Sequence, residues 1–217
     1  SNMLPQENIN NDLRQGFDFS VYGNKKFGEW DLTLGVSGMY YTTEATKRDE
    51  VIAIGNEYTS KVGQPSNAIW GLQADGFITS KEQISATPEE ATPDKLNYAL
   101  GQTPTLGDLK YKDQNGDNII DQYDEVFLGR SDTPFRLGLN FTAKYKNWTL
   151  FVMGNGYFGG YGLKNSSYYW VHSDRKYSEV VRGRWTPETA ATATFPRLTT
   201  TNGAHSFRNS DFWLYKA

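Results

Sequence analysis

Cysteine is absent from the 217 residues, which removes any disulfide frame, thiolate metal site or cysteine nucleophile. Histidine is nearly absent: His172 and His205 are too few for a histidine-rich metal centre. No apolar run approaches the roughly 18 residues that a membrane-spanning helix requires. A transmembrane β-barrel stays open, because its alternating strands keep average hydropathy low. Net charge is also small. The formal net charge of -3 implies no general affinity for nucleic acid or anionic lipid. No phosphate-cradling glycine loop, nucleophile elbow or Ser-His-Asp arrangement is visible. The opening Ser1-Asn2-Met3 lacks a signal segment and reads as a cloning scar, with a leader to residue 15. The last residues, Phe212 to Ala217, read as an interrupted strand, so a fragment is expected.

Aromatic residues are plentiful: 14 Tyr, 12 Phe and 6 Trp, in a chain whose mean hydropathy is -0.65. Many rings in a polar chain point to β-structure with amphipathic side chains at interfaces or in sugar sites. Alternation with period two dominates. Phe17, Phe19 and Val21 alternate with Asp18, Ser20 and Tyr22, and Trp30, Leu32, Leu34 and Val36 share the next run. The segment Asn24–Glu29 reads as the turn between them. A second hairpin places Leu137, Leu139, Phe141, Ala143 and Tyr145 on one face, turns at Lys146-Asn147, and returns through Trp148, Leu150 and Val152. Strands of about ten residues suit a tilted bilayer crossing, and Tyr145, Trp148, Phe27 and Trp30 bracket the turns as girdle residues would. A half-buried sheet of a soluble sandwich shows the same alternation.

Twelve residues from Asp113 to Asp124 form the densest polar motif. Asp113, Asn115, Asp117, Asp121 and Asp124 set side-chain oxygens at the first, third, fifth, ninth and twelfth positions, and Ile119 offers its carbonyl at the seventh. That is the oxygen spacing of a Ca²⁺ loop. Asn118 replaces the usual sixth-position Gly, and Asp124 replaces the longer Glu, with Glu125 one residue late. A plain Asx-rich turn is the alternative.

Residues 42–135 and 158–211 are far longer than ordinary connections. Within them Ser80–Ile84, Pro93–Leu100 and Ser173–Val181 read as short helices, the last capped by Ser173. If both tight turns lie on one side of a membrane, both long segments lie on the other.

Four segments, taken in order, resemble the C-terminal part of SusC/RagA-like TonB-dependent receptors. They are Ile69-Trp-Gly71-Leu-Gln-Ala74-Asp75-Gly76-Phe77; Gly107-Asp-Leu-Lys-Tyr111 running through Asp124, with Leu128-Gly129 and Pro134-Phe135-Arg136-Leu-Gly138; Trp185-Thr186-Pro187-Glu188 with Phe195-Pro196-Arg197-Leu198; and Arg208-Asn209-Ser210-Asp211-Phe212-Trp213-Leu214. The resemblance implies that residues 16–217 belong to one mainly β domain, a partial outer-membrane β-barrel of antiparallel strands with short helices in its loops. Residues 42–135 and 158–211 would be extracellular. It further implies a non-enzymatic importer of glycans, peptides or other nutrients, powered by TonB, capped by a SusD-like surface lipoprotein and embedded in outer-membrane lipid.

Tyr157, Tyr161, Tyr168, Tyr169 and Trp170 lie in a glycine-rich stretch and are candidates to stack on an oligosaccharide. Two other readings compete: a soluble, calcium-stabilised glycan-binding β-sandwich, and a glycosidase, for which no motif fixes a carboxylate pair. An unclosed sheet leaves open edges and an apolar face. The isolated chain is therefore expected to cover that face with its own loops or with a second copy.

Overall fold

The computed structural model describes residues 9–201 and 205–216. The scar at Ser1–Met3 and the chain end at Ala217 lie outside the described residues. Strands run in the order β1 (Asn11–Phe27), β2 (Trp30–Lys47), β3 (Ala68–Gly71), β4 (Ala74–Phe77), β5 (Asn97–Tyr98), β6 (Leu109–Tyr111), β7 (Ile119–Ile120), β8 (Val126–Arg130), β9 (Phe135–Tyr145), β10 (Trp148–Phe158), β11 (Tyr161–Leu163) and β12 (Leu214–Lys216). β1 begins inside the stretch assigned to a leader. No helix among the described residues is long and apolar enough to cross a membrane, which says nothing of strands.

Alternation builds one antiparallel sheet, ordered β1-β2-β9-β10. Two tight turns close its hairpins. The first is only Gly28-Glu29, shorter than the Asn24–Glu29 turn expected, because β1 stays paired to Phe27 opposite Trp30. Gly28 supplies the positive φ (58°) and Lys146 does so in the other turn (50°). Both turns lie at the same end, where Lys146 Nζ meets Glu29 Oε2 at 3.1 Å. The other described segments leave from the opposite end.

The described residues of those two excursions, 48–134 and 159–216, form one packed layer. One core holds Leu72, Ile78, Leu96, Tyr98, Leu109, Tyr111 and Ile120. A second holds Val171, Phe195, Phe207 and Trp213, and Phe212 packs against both. Short β-ladders pair β3 with β8, β4 with β6, β5 with β7 and β11 with β12. The expected helices shrink or vanish. A single 3-10 turn spans Lys81–Gln83 under a Ser80–Gln83 capping box. Pro93–Leu100 instead supplies β5, since its amides pair with the Asp-rich loop: Asn97 N–H donates to Asn118 O at 3.0 Å. Ser173 is no cap; it sits at φ 60°, and the 3-10 segment is Glu179–Gly183 behind Ser178.

Nothing in the described chain covers the sheet's apolar face. Phe17 and Val21 are each 64% exposed and Leu150 is 57% exposed. Self-coverage by loops is thereby corrected: the loop layer packs at one end of the strands, not across them. The dry sandwich is corrected too, because no second sheet among the described residues lies on this face.

A two-faced sheet beneath a stapled loop layer

Register decides which residues share a face. Paired antiparallel residues stand side by side on one surface. Phe27 opposes Trp30, Trp30 opposes Tyr145, and Tyr145 opposes Trp148, so four rings form one row beside the tight turns. The Trp30 and Tyr145 rings lie 4.7 Å apart. Ten positions along each strand a second row appears: Phe17, Tyr40, Phe135 and Phe158. Their rings also meet, Phe17 with Tyr40 at 6.1 Å and Phe135 with Phe158 at 5.8 Å. Ten residues at ~3.3 Å each give about 33 Å of strand, or about 25 Å of height at a tilt of about 40°. That is the height of the apolar band on a membrane barrel. Between the rows stand Val21, Leu32, Leu34, Val36, Leu137, Leu139, Phe141, Leu150 and Val152, with Lys25 the only charge, near the turn end. A lysine there reaches the polar boundary with its long stem.

The other face is mainly polar, although Tyr22, Met39, Phe151 and Met153 also stand on it. It carries Asp18, Ser20, Asn24, Asp31, Thr33, Ser37, Arg136, Asn140, Thr142, Lys144 and Asn155. Asn24 Nδ2 donates to Asp31 Oδ1 at 2.7 Å and to Thr33 Oγ1 at 2.9 Å. One strand pattern thus gives a hydrocarbon-type face and a wet face, as a barrel wall requires and a solvated sheet does not.

The loop layer is held by residues from the four family-like segments. Gly107 (φ 83°) lies under Trp185, where an added Cβ would come 2.3 Å from the ring. Its neighbour Asp108 is fully buried and faces Arg197, with Nε to Oδ1 at 3.0 Å. Asp108 also accepts from Ser206 Oγ at 3.1 Å and Thr105 N–H at 2.9 Å. Ser206 Oγ accepts in turn from Leu109 N–H at 2.9 Å, and His205 Nε2 lies 3.0 Å from Leu109 O. Burial pushes the His205 imidazole down to about 4, so neutral Nε2–H donates to that carbonyl. Gly71 meets the fourth segment, with a Cβ there 2.4 Å from Asn209 O. Ala74 N–H donates to Asp211 Oδ1 at 2.7 Å. Sequence reading singled out these segments for family resemblance and missed their task. They are neighbours in space, and they staple the two excursions together. The signal was present in buried-type Gly-Asp and Trp pairs far apart in the chain, but spacing alone does not pair them.

The Asp-rich loop lies in this layer. Asp113 Oδ1 and Oδ2 accept from Gly116 and Asn118 N–H, both at 2.7 Å. Asn115 Oδ1 accepts from Asp117 N–H, and Asp117 Oδ1 from Ile119 N–H. Asp121 Oδ1 caps Tyr123 N–H. Asp124 is fully buried and accepts from Gln114 and Asp121 N–H at 2.7 and 2.8 Å. Burial raises Asp124 to about 6, and the charges of Asp113 and Asp121 add to the rise. Asn118 takes the left-handed turn at φ 65°, doing what Gly does in the usual loop. The donor chemistry is that of a hard-cation site, and each carboxylate oxygen keeps a lone pair beyond its amide bond. As arranged the loop is a chain of Asx turns. Among the described residues no group of three or more acidic or histidine side chains converges as a metal cluster.

The five candidate aromatics separate. Tyr157 stands on the polar face of β10, under the Arg136 guanidinium at 5.6 Å. Tyr161 packs against Gly129 in the loop layer. Tyr168 and Tyr169 meet edge to face at 5.1 Å, with Lys164 Nζ 5.7 Å from the Tyr169 ring. Trp170 joins the core beside Phe207 and Trp213, each at 6.3 Å. They form no single stacking platform, because the chain turns out of the sheet at Gly159-Gly160.

These features define a wall segment of an open-cut antiparallel barrel whose long loops are gathered at one end. No family model matches the chain. A curated protein of Formosa agariphila, described as TonB-dependent receptor P26, is 31% identical over 152 residues, covering 69% of this chain and 14% of that protein. A structure of the RagAB peptide transporter aligns with TM-score 0.63 at 17% identity, over 97% of this chain and 22% of that one. A structure of the RagAB peptide importer in an open-open state aligns with TM-score 0.59 at 13% identity, over 92% of this chain and 21% of that one. The chain belongs to the TonB-dependent receptors and spans a small part of such a receptor's length.

Proposed function

We propose that this chain is part of the wall and surface loops of a TonB-dependent importer in a bacterial outer membrane, without catalytic activity. The observation that carries the reading is the pair of aromatic rows bounding an exposed apolar face, with every long connection leaving from one end. Kinship with a protein named as a receptor, and fold likeness to a peptide transporter, support transport over catalysis. In this reading the apolar face meets lipid and the polar face lines the lumen. The excursions 48–134 and 159–216 stand outside the cell, where a SusD-like lipoprotein caps them. The cargo is a nutrient such as a glycan or peptide, and energy arrives through TonB.

Cysteine labelling tests the topology, since the segment has no cysteine of its own. In intact cells, a membrane-impermeant maleimide is expected to label the fully exposed Val51→Cys and to spare a cysteine replacing Glu29 in the tight turn. The reverse pattern defeats the orientation. Loss of nutrient uptake on deleting the receptor gene, matched in a TonB-deficient strain, tests the transport half.

A subsidiary proposal is that Asp113, Asn115, Asp117, Asp121, Asp124 and the Ile119 carbonyl take up Ca²⁺. Support comes from the ordered oxygens and from Asp124, which burial, with a smaller push from the Asp113 and Asp121 charges, makes hard to ionise, a penalty that a bound cation would relieve.

A further inference from the structure

The polar face is not uniform. Just below the loop layer, three guanidinium groups gather around the Tyr41 ring: Arg14 at 4.3 Å, Arg130 and Arg136 at 5.9 Å each. Only one of them has its charge met by a carboxylate. Arg130 grips Asp132 through Nε and Nη2 at 2.6 and 2.7 Å, and the Tyr41 hydroxyl bonds the same carboxylate. Arg14 and Arg136 have no Asp or Glu within ion-pair reach among the described residues.

The surroundings are shaped as well as charged. A hollow of about 300 Å³ lies between Asp18 and Arg136, floored by Ser37 and Gly138 and walled by Asn155 and Tyr157. At Gly138 a Cβ would come 2.6 Å from Ser37 Oγ, so the shallow floor depends on that glycine. A second hollow of about 200 Å³ adjoins it at the sheet edge, lined on this face by Arg14, Gly16 and Tyr41 and reaching Phe17 and Tyr40 of the other face, and the two share Asp18 and Met39. Gly16 sits flush against the β2 backbone, where a Cβ would be 2.3 Å from Tyr40 O. Planar guanidiniums presented beside aromatic rings favour a planar oxyanion that takes two parallel hydrogen bonds.

We propose that Arg14 and Arg136, with Tyr41 and Tyr157 beside them, form a carboxylate-binding subsite on the lumen face, selecting a substrate that carries a carboxylate. This rests on the importer reading and narrows its substrate class to acidic cargo. The carboxylate could belong to an acidic sugar or to a peptide terminus, and the chemistry at the arginines is the same. Asp18, across the first hollow, disfavours a second anion there and orients the ligand's charge toward the arginines.

The test uses the intact receptor in detergent and four probes. These are a galacturonate trisaccharide, its fully methyl-esterified form, a tripeptide with a free C-terminus and the same tripeptide amidated. At least one charged probe is expected to bind at least tenfold more tightly than its neutral form, and which pair responds identifies the carboxylate's source. Arg136→Gln and Arg14→Gln should each weaken the charged probe about ten- to hundredfold without affecting the neutral one. Lys144→Gln, on the same face near the tight turns, should bind like the wild type. Outer-membrane levels of each variant separate binding loss from assembly loss. Equal binding of charged and neutral probes, no binding of either charged probe, or assembled variants that bind normally would each overturn the subsite. A receptor that binds with this charge preference yet imports nothing counts against the importer reading and leaves the subsite standing.

Discussion

Arg197 crosses from the second excursion to Asp108 of the first, Nε to Oδ1 at 3.0 Å, and ties together segments 89 residues apart. Asp108 accepts three hydrogen bonds, from Thr105 N–H, Arg197 Nη2 and Ser206 Oγ, and has almost no exposure, so its charge is compensated only while the two excursions stay docked. Arg197→Ala leaves that carboxylate buried with fewer partners. The expected cost is about 2–4 kcal/mol, somewhat below the cost of breaking a fully buried pair, because Arg197 is partly exposed. Hydrogen exchange in the intact receptor should show faster exchange in both excursions at once. Loosening confined to the segment around Arg197 would mean the two do not act as one layer.

Gly107→Ala should be worse than its size suggests. The position needs φ 83°, and the new methyl would press on the Trp185 ring. Strain and overpacking each cost about 1–3 kcal/mol. Receptor carrying this change is expected to be protease-sensitive in the loops while its barrel still resists heat in detergent.

The membrane face yields a paired prediction. Leu139 and Asn140 are sequence neighbours near the midpoint between the aromatic rows, on opposite faces. Leu139→Arg should destabilise barrel assembly by about 2–4 kcal/mol, whereas Asn140→Arg should be tolerated. Folding titrations of the intact receptor into lipid vesicles measure both, and equal effects would contradict the assignment of faces.

His205 predicts a pH response. Its folded value, about 4, lies below the ordinary 6.5, so the unfolded state binds the proton first. Stability contributed at this site is complete above pH 6.5 and declines as pH falls toward 4. Loop-layer exchange should therefore accelerate between pH 6.5 and 4, and His205→Gln should flatten that dependence.

Asp124 responds in the opposite sense. Its value of about 6 stands above the usual 3.8, so the folded loop favours the protonated acid. That contribution is complete below pH 3.8 and is lost as pH rises through 6. Calcium would offset the loss by stabilising the ionised form, by about 2.7 kcal/mol at a hundredfold excess over Kd. Exchange of Ile119–Asp124 amides should slow in Ca²⁺ at pH 7 and recover in chelator. No change at ~10 mM Ca²⁺ would leave the loop as Asx turns alone.

Period-two alternation is local, so the strands, the Lys146-Asn147 turn and the apolar stripe were all legible in the chain. Local pattern alone decides which side chains share a face, because the pleat sends alternate residues to opposite sides. The sequence also carried the family segments. It did not reveal that β2 pairs with β9, the step that aligns two hairpins into aromatic rows and sets the height between them. It did not reveal that Gly107, Asp108, Trp185, Arg197 and Ser206 meet, or that Pro93–Leu100 extends to pair with the Asp-rich loop instead of coiling. Nor did it gather Arg14 and Arg136 at one ring. Those outcomes depend on contacts between residues tens of positions apart, whose energy is realised only when the whole layer is assembled and water is excluded.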